Sequence, residues 1–274
     1  MNLLVVLSAS LLLSAPAPVD QLVDQLKGCE SLETCAPVRQ LIERGQSIWP
    51  GVERGLKAPD EMTRFWTLGV LSEVIIAPSR EAIAARLDDR EVRVRAAAAY
   101  ALGAHRDKAV TPWLLRALQD KDLNVRFAAV VALGRVRDKA SVPALLDALR
   151  DKDEDVRGYA ALALGDIRDL SALPRLIERL REDIVPQVRG FAAMALSKLR
   201  SPKSLEPLMA QAREEKDAKA LAAALHALGE LKDSKALPVI TPHLNHRSEE
   251  VKLYAKDAIE QITKVPKVGA RPSP

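Results

Sequence analysis

The chain of 274 residues is 48% apolar yet only 3% aromatic. A core so poor in rings must be built from Ala, Leu and Val, which suits stacked helices and argues against a β-sandwich. Charged residues make up 28% of the chain and leave a net charge of only +4, without the concentrated positive field of a dedicated nucleic-acid binder.

The first segment, MNLLVVLSASLLLSAPAP, runs from an apolar stretch (3–13) into small residues and Pro. That is the pattern of a secretory signal, assigned to residues 1–17. No Lys or Arg precedes the stretch, and Pro18 follows the best small-x-small site, Ala15-Pro16-Ala17. An uncleaved anchor is the alternative, although the stretch is shorter than the roughly 20 residues that span a bilayer. Export would place the chain in the periplasm or outside the cell, with no membrane attachment after cleavage. Residues 18–48 form an N-terminal helical cap, which holds both cysteines, Cys29 and Cys35. In an exported protein so close a pair reads as a disulfide across a helix–helix turn. It would close a short loop and stabilise by only about 2 kcal/mol. Two unpaired core thiols are the alternative. A redox pair would have two intervening residues rather than five.

From residue 49 to 263 the chain repeats itself. NVRFAAVVALG (124–134) returns 31 residues later as DVRGYAALALG (155–165). Related copies are RVRAAAAYALG ending at Gly103, QVRGFAAMALS ending at Ser197 and KALAAALHALG ending at Gly229, with worn versions at 63–73 and 250–260. Second segments lie between them, such as TPWLLRAL (111–118), VPALLDAL (142–149) and LPRLIERL (173–180). A fixed period of this length marks a solenoid. The first helix of each unit opens near Asp122 or Asp153 as N-cap, and is expected to close at Gly134 or Gly165 in a left-handed conformation. The second begins with Pro in its first turn (Pro50, Pro112, Pro143, Pro174). Its stripe of Leu114, Leu115 and Leu118, copied as Leu145, Leu146 and Leu149, needs a neighbouring unit to be buried. The last segment, VPKVGARPSP in the 264–274 tail, is Pro-rich and expected to be disordered.

The unit D-x-x-V-R-x-x-A-A-x-A-L-G-x-[IVL]-x-D-x-x-[AS]-[VL]-P-x-L-[LI]-x-x-L resembles the short HEAT-like repeats also found in phycobilin lyases, and matches most closely from Val94 to Leu180. The resemblance implies an all-α fold, a right-handed α-solenoid of six or seven antiparallel helical hairpins, whose concave surface is lined by second helices. It also supports a structural ladder for the Arg that follows Val, recurring as Arg64, Arg95, Arg126, Arg157 and Arg189 and becoming Lys252, with Asp122, Asp153 and Asp120 as the nearby acids. A cationic stripe for phosphates is the alternative role.

A second cationic row, Arg106, Arg137, Arg168, Arg200 and Lys232, lies in the turns within hairpins. Asp107, Asp138, Asp169 and Asp233 follow it directly, so it reads as a solvated edge matched to helix dipoles, with an acidic partner as the alternative. Comparison of sibling positions picks out side chains that face outward from second helices. Trp113, Ala144 and Arg175 are equivalent, as are Arg116, Asp147 and Glu178, and Gln119, Arg150 and Arg181. Trp113, Arg116, Arg150, Arg175 and Arg181 are therefore the candidate partner-binding residues; for Trp113, packing over its neighbours' aliphatic stems is the alternative. His243 and His246 are one helical turn apart near Glu249 and Glu250, but a dipole-matched surface pair accounts for them better than a metal site. Deoxyhypusine hydroxylase, built on similar repeats, uses His-Glu dipeptides, and no His here is followed by Glu.

No catalytic motif stands out. The expected function is a non-catalytic, monomeric scaffold presenting a concave helical surface to a protein partner, with no cofactor, no metal and no nucleic acid. The alternative is a lyase-like or other enzyme-accessory protein that acts on a cofactor-bearing client.

Overall fold

The computed structural model describes residues 17–31 and 34–264, and every regular element among them is helical. The expected signal segment and Pro-rich tail lie outside these residues, apart from Ala17 and Lys264. After α1 (Val19–Gln25) first and second helices alternate, each second helix packing chiefly on the first helix that follows it: α2 (Ala36–Glu43) then α3 (Trp49–Leu56), and α4 (Glu61–Glu73) then α5 (Ser79–Ala84). The pattern continues with α6 (Val92–Ala104) and α7 (Thr111–Ala117), then α8 (Leu123–Val136) and α9 (Val142–Ala148). It ends with α10 (Glu154–Ile167) and α11 (Leu173–Glu182), α12 (Pro186–Lys198) and α13 (Leu205–Glu214), α14 (Ala218–Leu231) and α15 (Leu237–Ile240), before α16 (Glu249–Thr263) closes the stack.

Local chemistry sets the helix starts. The Asp122 carboxylate accepts from the Asn124 N–H, and that of Asp153 from the N–H groups of Asp155 and Val156, satisfying donors that have no partner within the helix. Asp60 and Asp217 cap α4 and α14 in the same way. Second helices are entered through a short 3-10 turn capped by Asp107, Asp138, Asp169, Ser201 or Asp233. Pro50, Pro112, Pro143 and Pro174 occupy first turns, where a missing N–H costs nothing.

Helix ends depart from the expectation. Gly134 and Gly165 do not close α8 and α10; each lies inside its helix. The left-handed residues are Arg137 and Arg168, joined by Arg106, Arg200 and Lys232, with φ between 50° and 58°. The glycines answer a packing demand instead. A Cβ on Gly103 would stand 2.6 Å from the Ala132 Cβ, and one on Gly165 2.7 Å from the Ala195 Cα. Gly–Ala contacts therefore set how closely successive first helices approach.

Those helices (α4, α6, α8, α10, α12, α14, α16) pack on one another along their length, while successive second helices meet only sparingly. A stack drawn together on one side and splayed on the other curves toward the first. The inner surface is thus made by first helices, not by second helices as the resemblance implied. Between the layers, Leu102, Leu133, Leu164, Leu196 and Leu228 are fully buried, each contributing about 1.5–3 kcal/mol. Leu115, Leu146 and Ile177 share one half-buried environment, as equivalent positions in a solenoid should. At the N-terminal end Cys29 and Cys35 are bonded as a disulfide. The indole N–H of Trp66 on α4 donates to the Cys29 carbonyl at 2.9 Å, tying α1 and α2 to the stack.

Candidate functional site

The arginine after each Val forms a continuous polar spine. Arg95 donates from Nε and Nη2 to the two oxygens of Asp120 at 2.8 and 3.1 Å, and from Nη1 to the carbonyls of Asp89 and Arg90. Arg126 repeats this with Asp151, Arg157 with Asp183, Arg189 with Glu215, and Arg64 with Asp89. Each carboxylate also accepts the backbone N–H two residues on, as Asp120 does from Asp122. The guanidinium thus joins the turn preceding its own helix to the same turn of the next unit. Asp122 and Asp153, expected in the ladder, do not join it; they are the N-caps, and the acids two residues earlier meet the arginines. Leu221 takes the arginine's place in α14, so the ladder stops at Arg189–Glu215, and Lys252 pairs within its own helix with Glu249.

Burial is the largest single influence on Asp120, Asp151, Asp183 and Glu215, and it opposes ionisation. The Arg hydrogen bond, the backbone N–H and the nearby positive charge together outweigh it, so all four sit below the ordinary carboxylate range. Arg95, Arg126, Arg157 and Arg189 are raised in turn, first by that same hydrogen bond. Four of the five guanidinium N–H groups and both carboxylate oxygens are engaged within the ladder, which commits the pair to linking units rather than to a ligand.

The inner surface is where the rings are. The chain has three each of Trp, Tyr and Phe. Phe65, Trp66, Tyr100, Phe127, Tyr159, Phe191 and Tyr254 all stand on first helices, one, two or five residues after the Arg position. Phe127, Tyr159 and Phe191 meet edge to face at centroid distances of 4.7 and 5.4 Å. Gly158 makes room for Phe191, since a Cβ there would lie 2.5 Å from its ring. Across α4, α6 and α8 these residues line an apolar groove of about 640 Å³, including Phe65, Ala97, Tyr100, Phe127 and Val131. Tyr100 is 41% exposed at its edge, and the Arg135 guanidinium lies 4.1 Å from its ring centroid and donates to its hydroxyl at 2.6 Å. A second concavity of about 420 Å³ adjoins it across α8 and α10, lined by Arg106, Arg135 and Arg137 among others.

A sequence model describing HEAT repeats matches residues 79–158 and 142–229, more than half of the chain. The chain belongs to the HEAT-repeat family. Its HEAT repeats superpose on the crystal structure of Escherichia coli YibA with a TM-score of 0.63 at 23% identity, covering 90% of this chain and 93% of that one. They are also similar to a chain in the complex of CpcE and CpcF of phycocyanin lyase from Nostoc sp. PCC7120, with a TM-score of 0.54, 24% identity and coverage of 78% and 90%. Both likenesses concern the solenoid fold. No curated protein matches the sequence.

Within these HEAT repeats, the candidate residues on second helices are dispersed and partly neutralised. Trp113 is half-buried against the core, so it serves as packing as much as surface. Arg116 pairs with Asp88 at 3.1 Å, and Arg175 pairs with Glu178 one turn away. Arg150 and Arg181 are exposed outside both grooves. The His243 and His246 rings are 6.2 Å apart, and His246 Nδ1 accepts the Ser248 N–H, which makes it a turn-former. No cluster of three His, Cys, Asp or Glu able to hold a metal occurs among the described residues.

The groove was legible in principle. The two positions after the ladder Arg hold Phe-Trp, Ala-Ala, Phe-Ala, Gly-Tyr and Gly-Phe in successive units, the same variability that singled out second-helix positions.

Proposed function

We propose that the chain is a non-catalytic scaffold that captures a protein partner on the inner surface made by its first helices, centred on the groove of Phe65, Tyr100, Phe127 and Val131. One observation carries this: an aromatic-poor chain places seven of its nine rings on first helices and gathers Phe65, Trp66, Tyr100 and Phe127 around one groove, with Tyr100 exposed. The repeats do not require rings there, because Ala or Gly fills the same slots elsewhere. Aromatic side chains in a concave site are the usual anchors of protein recognition. The scaffold acts outside the cytoplasm if the N-terminal segment directs export. Detecting the mature N-terminus in a cell-envelope fraction tests that part.

The binding face is tested by photo-crosslinking from Ala97 in the groove and from Ala144 on the second-helix face, with Tyr100→Ala and Val131→Lys as interfering changes. Crosslinks to a defined partner should form from Ala97 and weaken about tenfold in either variant, since removing or blocking an anchor costs on the order of 1.4 kcal/mol or more. Far-UV circular dichroism should stay unchanged. Crosslinks from Ala144 that vanish in Trp113→Ala would move the site to the second helices.

A further inference from the structure

Granted the scaffold function above, we propose that the groove's occupant is an extended protein segment carrying a bulky apolar side chain and, about three residues away, acidic groups. Two adjoining concavities of opposite character support it. The first is apolar, floored by Phe65, Phe127 and Val131. The second shares Val131 and is lined by Arg106, Arg135 and Arg137. None of these three arginines makes an ion pair with a carboxylate among the described residues. The one carboxylate that lines the concavity, Asp166, is taken by Lys198 at 2.7 Å.

The chain's ladder arginines, with Arg54, Arg80, Arg116 and Arg175, each face an acid, whereas among the described residues Arg150, Arg168, Arg181 and Arg200, like these three, do not. What sets the three apart is that they gather at one concavity beside the apolar groove. Arg106 and Arg137 stand at helix C-termini, where the backbone favours positive charge. Arg135 shares that setting in the last turn of α8, but the position does not demand a cation: its siblings are Ala104, Asp166, Lys198 and Glu230. Held against the Tyr100 ring, it is presented in a fixed position between the apolar and the cationic halves. A carboxylate meets such a fork bidentately.

The spacing follows from geometry. Neighbouring packed helices are about 10 Å apart, and an extended chain advances about 3.3 Å per residue. An acid some three residues from the apolar anchor therefore reaches the next unit. A nucleic-acid strand fits less well, because it would need cations along its whole track, and the units beyond bring Asp166 and Glu230.

Fluorescence anisotropy with the full chain and three labelled 12-residue peptides tests the proposal. One carries Phe-Leu followed three residues on by Glu-Glu; the second has Lys-Lys for Glu-Glu, and the third Ser-Ser for Phe-Leu. The triple variant R106N/R135Q/R137N removes the charges, and Asn tolerates the left-handed conformation at the two helix ends. The acidic apolar peptide should bind about tenfold more tightly than either relative, weaken with added salt, and lose that advantage in the triple variant. Equal binding of the Glu and Lys peptides, with loss in Val131→Lys, would overturn the acidic preference and leave the groove as a protein site. Binding of none of the peptides would also overturn it, as would displacement by a 12-nucleotide single strand at equal concentration.

Discussion

At Gly103 a single methyl group decides how close two helices come. The Cβ it lacks would stand 2.7 Å from the backbone Cα of Ala132, an atom that cannot swing aside. In an isolated helix Gly→Ala gains up to about 1 kcal/mol, but here overpacking of about 1–3 kcal/mol opposes it and prevails. Gly103→Ala should therefore lower the melting temperature by several degrees. Arg137 is the converse. It is held at φ 55° without being glycine, which costs roughly 1–2 kcal/mol, so Arg137→Gly should leave the melting temperature unchanged or raise it. Thermal melts of the two variants measure both effects. The same outcome for both would contradict the division of labour between these positions.

The ladder belongs to the element scale, because each arginine links two hairpins. Asp151 and Asp153 are two residues apart and have separate tasks: one receives Arg126, the other caps α10. Asp151→Ala leaves a guanidinium that is 9% exposed without its partner and should cost about 3–5 kcal/mol. Asp153→Ala removes a cap and should cost about 1 kcal/mol. Urea denaturation separates the two values. Similar losses would show that Asp153 carries ladder load as well. The ladder carboxylates are lowered in the folded chain, so on acidification the unfolded chain takes up protons first. Their stabilisation is complete above the unfolded values of about 4 and is lost as pH falls through the folded ones. The urea midpoint should consequently fall below about pH 4, and less steeply in Asp151→Ala.

For the whole molecule, stability accumulates from unit to unit, since each hairpin buries its stripe only against neighbours. Interior units have two such neighbours and ladder contacts on both sides, whereas α16 ends the stack with Lys252 bonded only within its own helix. Amide hydrogen exchange should be slowest in α8, α10 and α12, and faster toward α1 and α16. Uniform protection from end to end would mean that the chain opens as one cooperative unit.

The period, the two helices per unit, the Asp and Pro at their starts and the recurrence of Arg were all readable from the chain alone. They are local or periodic signals, written once per unit: a cap acts within three residues, and a repeat is detected by comparison with itself. What only the tertiary structure decided is every matter of which side faces which. The glycines of A-L-G look like helix stops until the neighbouring alanine is seen against them. Arg126 chooses Asp151 over Asp153 because fork geometry, not sequence distance, selects the acid. The inner surface belongs to first helices because Gly–Ala contacts shorten that side of the stack, and curvature is a sum over many contacts that no single unit records.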